Sequence, residues 1–218
     1  LGDVYKRQNI ASVKWLAGVA LLAGALASCS KDTVEADPYA DWEVRNANYL
    51  DSIANVCANP PASEKWKKVL NYKLAKNDLT SINTYSNSDY VYMKFLASGD
   101  ESSLSPLYKD TVSVHYRGSL INGTVFDQSF SGDWNEDVAL STSFAANEVI
   151  VGWTIALQTM KVGDHVMLYI PQGMAYGETG SGSIRGYSTL IFDLRLEGFK
   201  HPVGPDDRSR AKVIKDEE

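Results

Sequence analysis

The side chains able to make or break bonds are few in this sequence and poorly spaced for that work. The histidines His115, His165 and His201 stand far apart, with no metal-ligand spacing and no cysteine partners. His115 lies inside an apolar run, where a satisfied structural role is expected. The run Gly177-x-x-Gly180-x-Gly182 follows no strand-to-helix pattern, which argues against a phosphate cradle. No Gly-x-Ser-x-Gly elbow is present. Hydrolase and metalloenzyme chemistry is therefore disfavoured, and neither a metal nor a cofactor is expected. What remains is a set of aromatic residues at defined places: Tyr116, Phe126, Trp153, Tyr176 and Phe192, with Asp127 directly after Phe126. Taken singly, most such aromatics end in a core. Tyr176, in a glycine-flanked loop, is harder to place there, and Asp127 would be costly to bury without a hydrogen bond.

The elements that must position these residues are mostly strands. Tyr90–Phe95 and Thr111–Tyr116 have β composition, and Asn122-Gly123 between apolar segments is a strong hairpin signal. Further strands are expected at Val138–Leu140, His165–Ile170 and Thr189–Phe199, with one short helix near Trp153–Met160. Upstream, Trp42, Tyr49, Ile53 and Val56 form a helical stripe that Asn59-Pro60-Pro61 ends. That stripe would cap the following domain or pair with a second copy of the chain, a homodimer through residues 39–58. Cys57 beside it is expected to act as a small hydrophobe. Residues 66–74 suit a helix or a strand, 77–89 read as loop, and 200–218 as a charged, frayed tail. The expected class is α+β: an antiparallel β-sheet of about five to six strands wrapped around one short α-helix, preceded by an N-terminal helical segment.

Composition agrees with a globular domain. Of 218 residues, 44% are hydrophobic and 22% charged, and the net charge of −6 gives no global attraction for nucleic acid. The densest basic cluster, Lys65, Lys67 and Lys68, reads as a solvated face.

Five fragments, in order, carry a family resemblance. Val112-x-Val114-His115-Tyr116-x-Gly118-x-Leu120 runs into Asn122-Gly123-x-x-Phe126-Asp127-x-Ser129. Glu148-Val149-Ile150-x-Gly152-Trp153 follows, with Met160-x-x-Gly163, then Ala175-Tyr176-Gly177 and Leu190-Ile191-Phe192-Asp193. Together, over residues 90–199, they resemble FKBP-type peptidyl-prolyl cis-trans isomerases. The resemblance implies a prolyl pocket floored by Trp153 and walled by Tyr116, Phe126, Val149, Ile150 and Phe192. The Ile150 N–H and the Tyr176 hydroxyl would bind ligand carbonyls, and Asp127 would hydrogen-bond near the mouth. Proline-containing polypeptide clients and ligands of the FK506 or rapamycin type would be its partners.

Such a site needs no nucleophile. Rotation about an amide C–N bond meets a barrier of ~18–20 kcal/mol because the twisted form loses resonance. Excluding the water that stabilises the planar, charge-separated form lowers that barrier. The sequence departs from the family in two places. The span from Phe126 to Glu148 is lengthened and contains Trp134, and an aromatic wall expected near Val138–Leu140 has no clear counterpart, so Val138 or Leu140 would stand in. Ile184-Arg185-Gly186 replaces an Ile-Pro-Pro segment in a loop, Glu178–Ser188, expected to be mobile; Ile184 is carried over as a pocket residue. Two alternatives stand beside an active isomerase: a catalytically weak prolyl-binding chaperone, and a scaffold lipoprotein.

The N-terminal region reads as an address. Leu1–Gln8 lacks an initiating Met and has the look of a translated sequencing-adapter end, so it takes no part in the fold reading. Lys14 precedes an apolar stretch from Trp15 to Ala27, shorter than the ~20 residues of a membrane span and suited to a signal peptide. It ends in Leu26-Ala27-Ser28-Cys29, which resembles the lipobox of bacterial lipoproteins. That resemblance implies cleavage before Cys29 and a multi-chain lipid anchor there, at the cell envelope. Ser30 fits outer-membrane sorting, and Lys31–Glu35 loosely resembles surface-export signals of Bacteroidota; periplasmic and surface faces both stay open. The expected organisation is 1–28 signal peptide, 29–38 tether, 39–89 helical extension, 90–199 isomerase domain and 200–218 tail.

Overall fold

The computed structural model describes residues 37–74, 84–135 and 139–202. The first element is helix α1 (Trp42–Ala58), which ends where Asn59 leaves helical geometry before Pro60. Strand β1 (Lys65–Leu70) settles the ambiguous stretch as a strand, because it pairs antiparallel along the whole of its length with β2 (Tyr90–Ala97). Then come β3 (Thr111–Ser119), β4 (Val125–Gln128) and β5 (Thr142–Ala145), helix α2 (Val151–Leu157) and β6 (His165–Ile170). A small hairpin of β7 (Gly180–Ser181) and β8 (Ile184–Arg185) precedes the long strand β9 (Leu190–Lys200).

Seven strands form one sheet in the order β1-β2-β6-β9-β3-β4, with β5 also on β3. Every recorded pairing in it is antiparallel. The β3–β4 hairpin turns at Asn122-Gly123, where the Gly123 N–H donates to the Leu120 carbonyl at 2.9 Å. The six strands of this sheet that lie within 90–200 agree with the expected α+β class; β1 adds a seventh from the extension.

Side-chain alternation divides the sheet into two working faces. Val91, Met93, Val112, Val114, Val166, Leu168, Leu194 and Leu196 point one way and bury α2, whose residues Gly152–Leu157 are all buried. The opposite face of β2 and β6 presents Tyr92 and Tyr169, and α1 lies over it with Leu50, Ile53 and Ala54. Trp66 of β1 stacks on Tyr169 with ring centroids 5.9 Å apart.

The buried face of α1 differs from the stripe read in the sequence. It runs Trp42, Asn46, Leu50, Ile53 and Ala54, whereas Val56 is exposed. Periodicity of apolar residues could not find Asn46, a polar side chain buried for its hydrogen bonds. Leu50, Ile53 and Ala54 of this helix pack on its own sheet. Cys57 is a free, half-buried thiol beside that contact, and burial pushes its pKa up.

The strand expected at Val138–Leu140 falls elsewhere. Val138 lies outside the described residues, Leu140 is 82% exposed, and the strand is Thr142–Ala145. Thr142-Ser143-Phe144-Ala145 has little β-like alternation, so tertiary pairing decided it: Phe144 stands opposite Val112 of β3 and faces the core. The helix expected at Trp153–Met160 begins two residues earlier and ends at Leu157.

Candidate active site

A cleft of about 450 Å³ opens above α2, lined by ten residues that include Tyr116, Phe126, Phe144, Ile150, Trp153 and Phe192. Its floor is Trp153, 4% exposed, carried on the first turn of α2. Three rings meet Trp153 edge-on: Tyr116 at 5.1 Å, Phe192 at 5.2 Å and Phe144 at 5.8 Å between centroids. Phe126 closes the array by meeting Phe192 at 5.6 Å. Edge-to-face pairs of this kind contribute about 0.5–1.5 kcal/mol each beyond the area they bury. The floor is therefore stiff.

The sequence builds this array by register. Tyr116 and Gly118 are two apart on β3 and point to the same face, and Phe192 of β9 pairs with Gly118. A methyl on Gly118 would lie 2.6 Å from the Phe126 ring and 2.7 Å from the Phe192 ring. Only glycine leaves room for both rings there.

Polar groups sit at the rim. The Tyr116 hydroxyl donates to Asp127 Oδ2 at 2.9 Å. Burial, then the hydrogen bond and charge of Asp127, push the Tyr116 pKa well above its ordinary value, so it remains a neutral donor. Asp127 itself is exposed at the mouth, so the burial cost anticipated from its apolar neighbours does not arise. Ile150 stands just before α2, and among the described residues its N–H meets no acceptor. Tyr176, 39% exposed, reaches the cleft from the loop after β6; the Gly180 N–H donates to its carbonyl at 3.1 Å. Val149 and the exposed Glu148 complete the rim.

Of the residues read as a site in the sequence, Tyr116, Phe126, Asp127, Val149, Ile150, Trp153, Tyr176 and Phe192 come together in this cleft. Leu140 does not; it borders a separate surface depression with Gln128–Ser131. Ile184 does not line it either. It is 8% exposed and packs into the main core from β8. The loop expected to be mobile carries the β7–β8 hairpin, and Gly186 departs from the family's proline for a local reason. A Cβ at Gly186 would stand 1.8 Å from the Glu178 carbonyl oxygen.

The residue the sequence reading missed is Phe144, the aromatic wall sought near 138–140. A single Phe between polar residues gives no strand signal, and only its contact with Tyr116 at 5.8 Å and with Trp153 marks it. Trp134, inside the lengthened span, turns to the other side of the sheet, where its ring meets His115 at 4.6 Å and the Arg195 guanidinium at 4.4 Å. Asp193 also lies away from the cleft and bonds His165 Nε2 at 2.8 Å. Burial raises its pKa, but that hydrogen bond and the nearby charges of His165, Arg195 and Arg117 outweigh it and hold the carboxyl low. Among the described residues no group of three or more His, Cys, Asp or Glu side chains converges as a metal site.

A stiff aromatic basin with a few outward-facing polar groups defines a binding domain for a small apolar ring carried on a polar chain. Residues 104–197 match the family described as FKBP-type peptidyl-prolyl cis-trans isomerase. The chain is 30% identical over 161 residues to the FKBP-type peptidyl-prolyl cis-trans isomerase FkpA of Aeromonas hydrophila, covering 74% of this chain and 56% of the relative. It is 43% identical over 112 residues to the FKBP-type 22 kDa peptidyl-prolyl cis-trans isomerase of Escherichia coli (strain K12), covering 50% of this chain and 51% of that one. The crystal structure of FkpA from Escherichia coli superposes with a TM-score of 0.52 at 28% identity, over 74% of this chain and 60% of that one. The chain thus spans about half the length of the curated relatives it matches.

Proposed function

We propose that this protein is a peptidyl-prolyl cis-trans isomerase that acts on Xaa-Pro bonds of exported or surface polypeptides. The observation that carries the reading is the edge-to-face array on Trp153, in a cleft that Ile150 also lines. A prolyl ring seated on Trp153 places its preceding carbonyl among apolar and aromatic groups. The Ile150 N–H then holds a carbonyl of the bound chain, and the Tyr176 hydroxyl holds another.

With the ring fixed, the preceding carbonyl turns past Phe126, Tyr116 and Phe144 out of reach of bulk water. Loss of that water removes a stabiliser of the planar amide, so the twisted form is relatively favoured. No covalent step is required. Proline suits the site because its cis form lies only ~0.5–1 kcal/mol above trans while exchange is slow enough to limit folding. The same basin would accept ligands of the FK506 or rapamycin type.

The test is a protease-coupled Xaa-Pro peptide assay on the chain from Ser30. Turnover well above background is expected, with a sharp fall in Tyr176→Phe and Asp127→Ala. Folded protein with no rate above background would leave a prolyl-binding module without turnover.

The envelope location rests on Cys29 at the end of the apolar run 15–27, outside the described residues. On that reading the isomerase works tethered, serving chains as they emerge at the membrane. Incorporation of radiolabelled palmitate in the natural host, lost in Cys29→Ser, is the expected result; label retained in that variant would sink the anchor assignment.

A further inference from the structure

Helix α1 lies upstream of the matched segment 104–197, yet it reaches the loop that carries Tyr176. Trp42 Nε1 donates to Ser188 Oγ at 3.0 Å, and that hydroxyl donates onward to the Arg185 carbonyl at 2.5 Å. One turn along, Asn46 Oδ1 accepts the Thr189 backbone N–H at 2.8 Å, while Asn46 Nδ2 donates to the Trp42 carbonyl at 2.7 Å. Asn46 is 2% exposed and Ser188 and Thr189 are 3% exposed, so water cannot easily replace these bonds. The Arg185 guanidinium also lies 5.2 Å from the centre of the Tyr39 ring, which in turn meets Trp42 edge-on at 4.9 Å.

Beyond this junction the chain returns to the cleft in two backbone bonds. The Tyr187 N–H donates to the Gly177 carbonyl at 3.0 Å, and the Gly180 N–H donates to the Tyr176 carbonyl at 3.1 Å. Tyr187 has φ 62°, a left-handed conformation that a bulky residue holds only when its surroundings over-determine it. The residues directly after it, Ser188 and Thr189, are the two gripped by α1.

We infer that Trp42 and Asn46 are positioning residues for this flap, and through it for the Tyr176 hydroxyl at the cleft. The sheet alone does not supply this support. Flap residues 186–189 lie outside both the β7–β8 hairpin and β9, and the bonds from α1 land there. The inference rests on the cleft being the prolyl site, and it assigns part of the hold on substrate to a helix outside the matched domain.

Trp42→Phe keeps an aromatic ring but removes the indole N–H and part of the buried ring volume; Asn46→Ala removes the acceptor for Thr189. In both, amide hydrogen exchange at Gly180 and Tyr187 is expected to accelerate by about tenfold, with the β3–β9 amides of Val114 and Leu194 unchanged. With Xaa-Pro peptides, KM is expected to rise by about fivefold with a smaller change in kcat. Adding Tyr176→Phe to either variant should raise KM no further than Tyr176→Phe does alone. A helix that merely stabilises the domain would lower Tm while leaving flap exchange and KM unchanged, and that result overturns the inference. So would full additivity with Tyr176→Phe. If Asn46→Ala does not fold, Trp42→Phe decides the matter. If the wild-type protein shows no turnover, the functional reading fails while flap exchange still tests the coupling.

Discussion

Gly118→Ala probes how tightly the aromatic basin is built. The new methyl carbon would lie 2.6 and 2.7 Å from Phe126 ring atoms and 2.7 Å from one of Phe192, where ordinary contact begins at 3.4 Å. Something must recede by about 0.8 Å. The strand backbone is held on both sides, since Gly118 pairs with Phe192 of β9 and with Asp127 of β4. Phe192 is buried and wedged between Phe126 and Trp153. Phe126 is half-buried and borders open space, so it yields, and it yields into the cleft. Overpacking of this kind costs about 1–3 kcal/mol of stability. If about 1.4 kcal/mol of binding is lost with the displaced wall, kcat/KM falls by about tenfold, chiefly through KM. The assay pairs urea unfolding with Xaa-Pro kinetics. Gly198→Ala serves as the control, because a methyl there, on β9, meets nothing within 4 Å. A Gly118→Ala protein that loses stability but keeps KM within twofold would refute the reasoning, because the strain would then have been relieved away from the site.

Three further outcomes are expected. Phe144→Ala removes two edge contacts, with Tyr116 and with Trp153, and should cost about 1–3 kcal/mol in urea unfolding together with much of the turnover; wild-type turnover would remove Phe144 from the site. The cleft lining carries Asp127 and Glu148 and no cationic side chain, so Lys-Pro peptides should be preferred over Glu-Pro peptides. Glu148→Gln should shrink that preference by about two- to fivefold at low salt and hardly at all at high salt; a salt-independent preference would point to shape instead. Burial raises the tyrosines Tyr92 and Tyr169 from 10.0 to about 12, and Tyr116 is raised as well. A group raised in the folded state contributes its stability in full below the unfolded value and loses it above. Urea midpoints should therefore be insensitive to these groups below pH 10 and fall between pH 10 and 12; a midpoint unchanged at pH 11 would contradict the burial of these phenols.

Much of the site was legible in the sequence because it is local or follows strict register. Asn122-Gly123 dictates a hairpin by turn chemistry alone, and the spacing Tyr116-x-Gly118 places both residues on one face of β3 whatever the rest of the chain does. Ile150, just before α2, and Trp153, on its first turn, are brought close by an equally local cause. Other features required the third dimension. Phe144 sits in a stretch with no β pattern, and its strand exists because β3 offers a partner and Trp153 a ring to pack on. Asn46 is buried because Thr189, 143 residues away, needs an acceptor. Ile184 looked like a pocket residue by analogy of position, yet the hairpin that Gly186 permits turns it into the core. Leu140, the stand-in for an aromatic wall, is exposed, and Trp134 packs on His115 and Arg195 instead. Backbone preference and side-chain alternation act over a few residues and are written in the sequence. Which polar group must be satisfied, and which ring closes a cleft, depends on partners that only folding brings together.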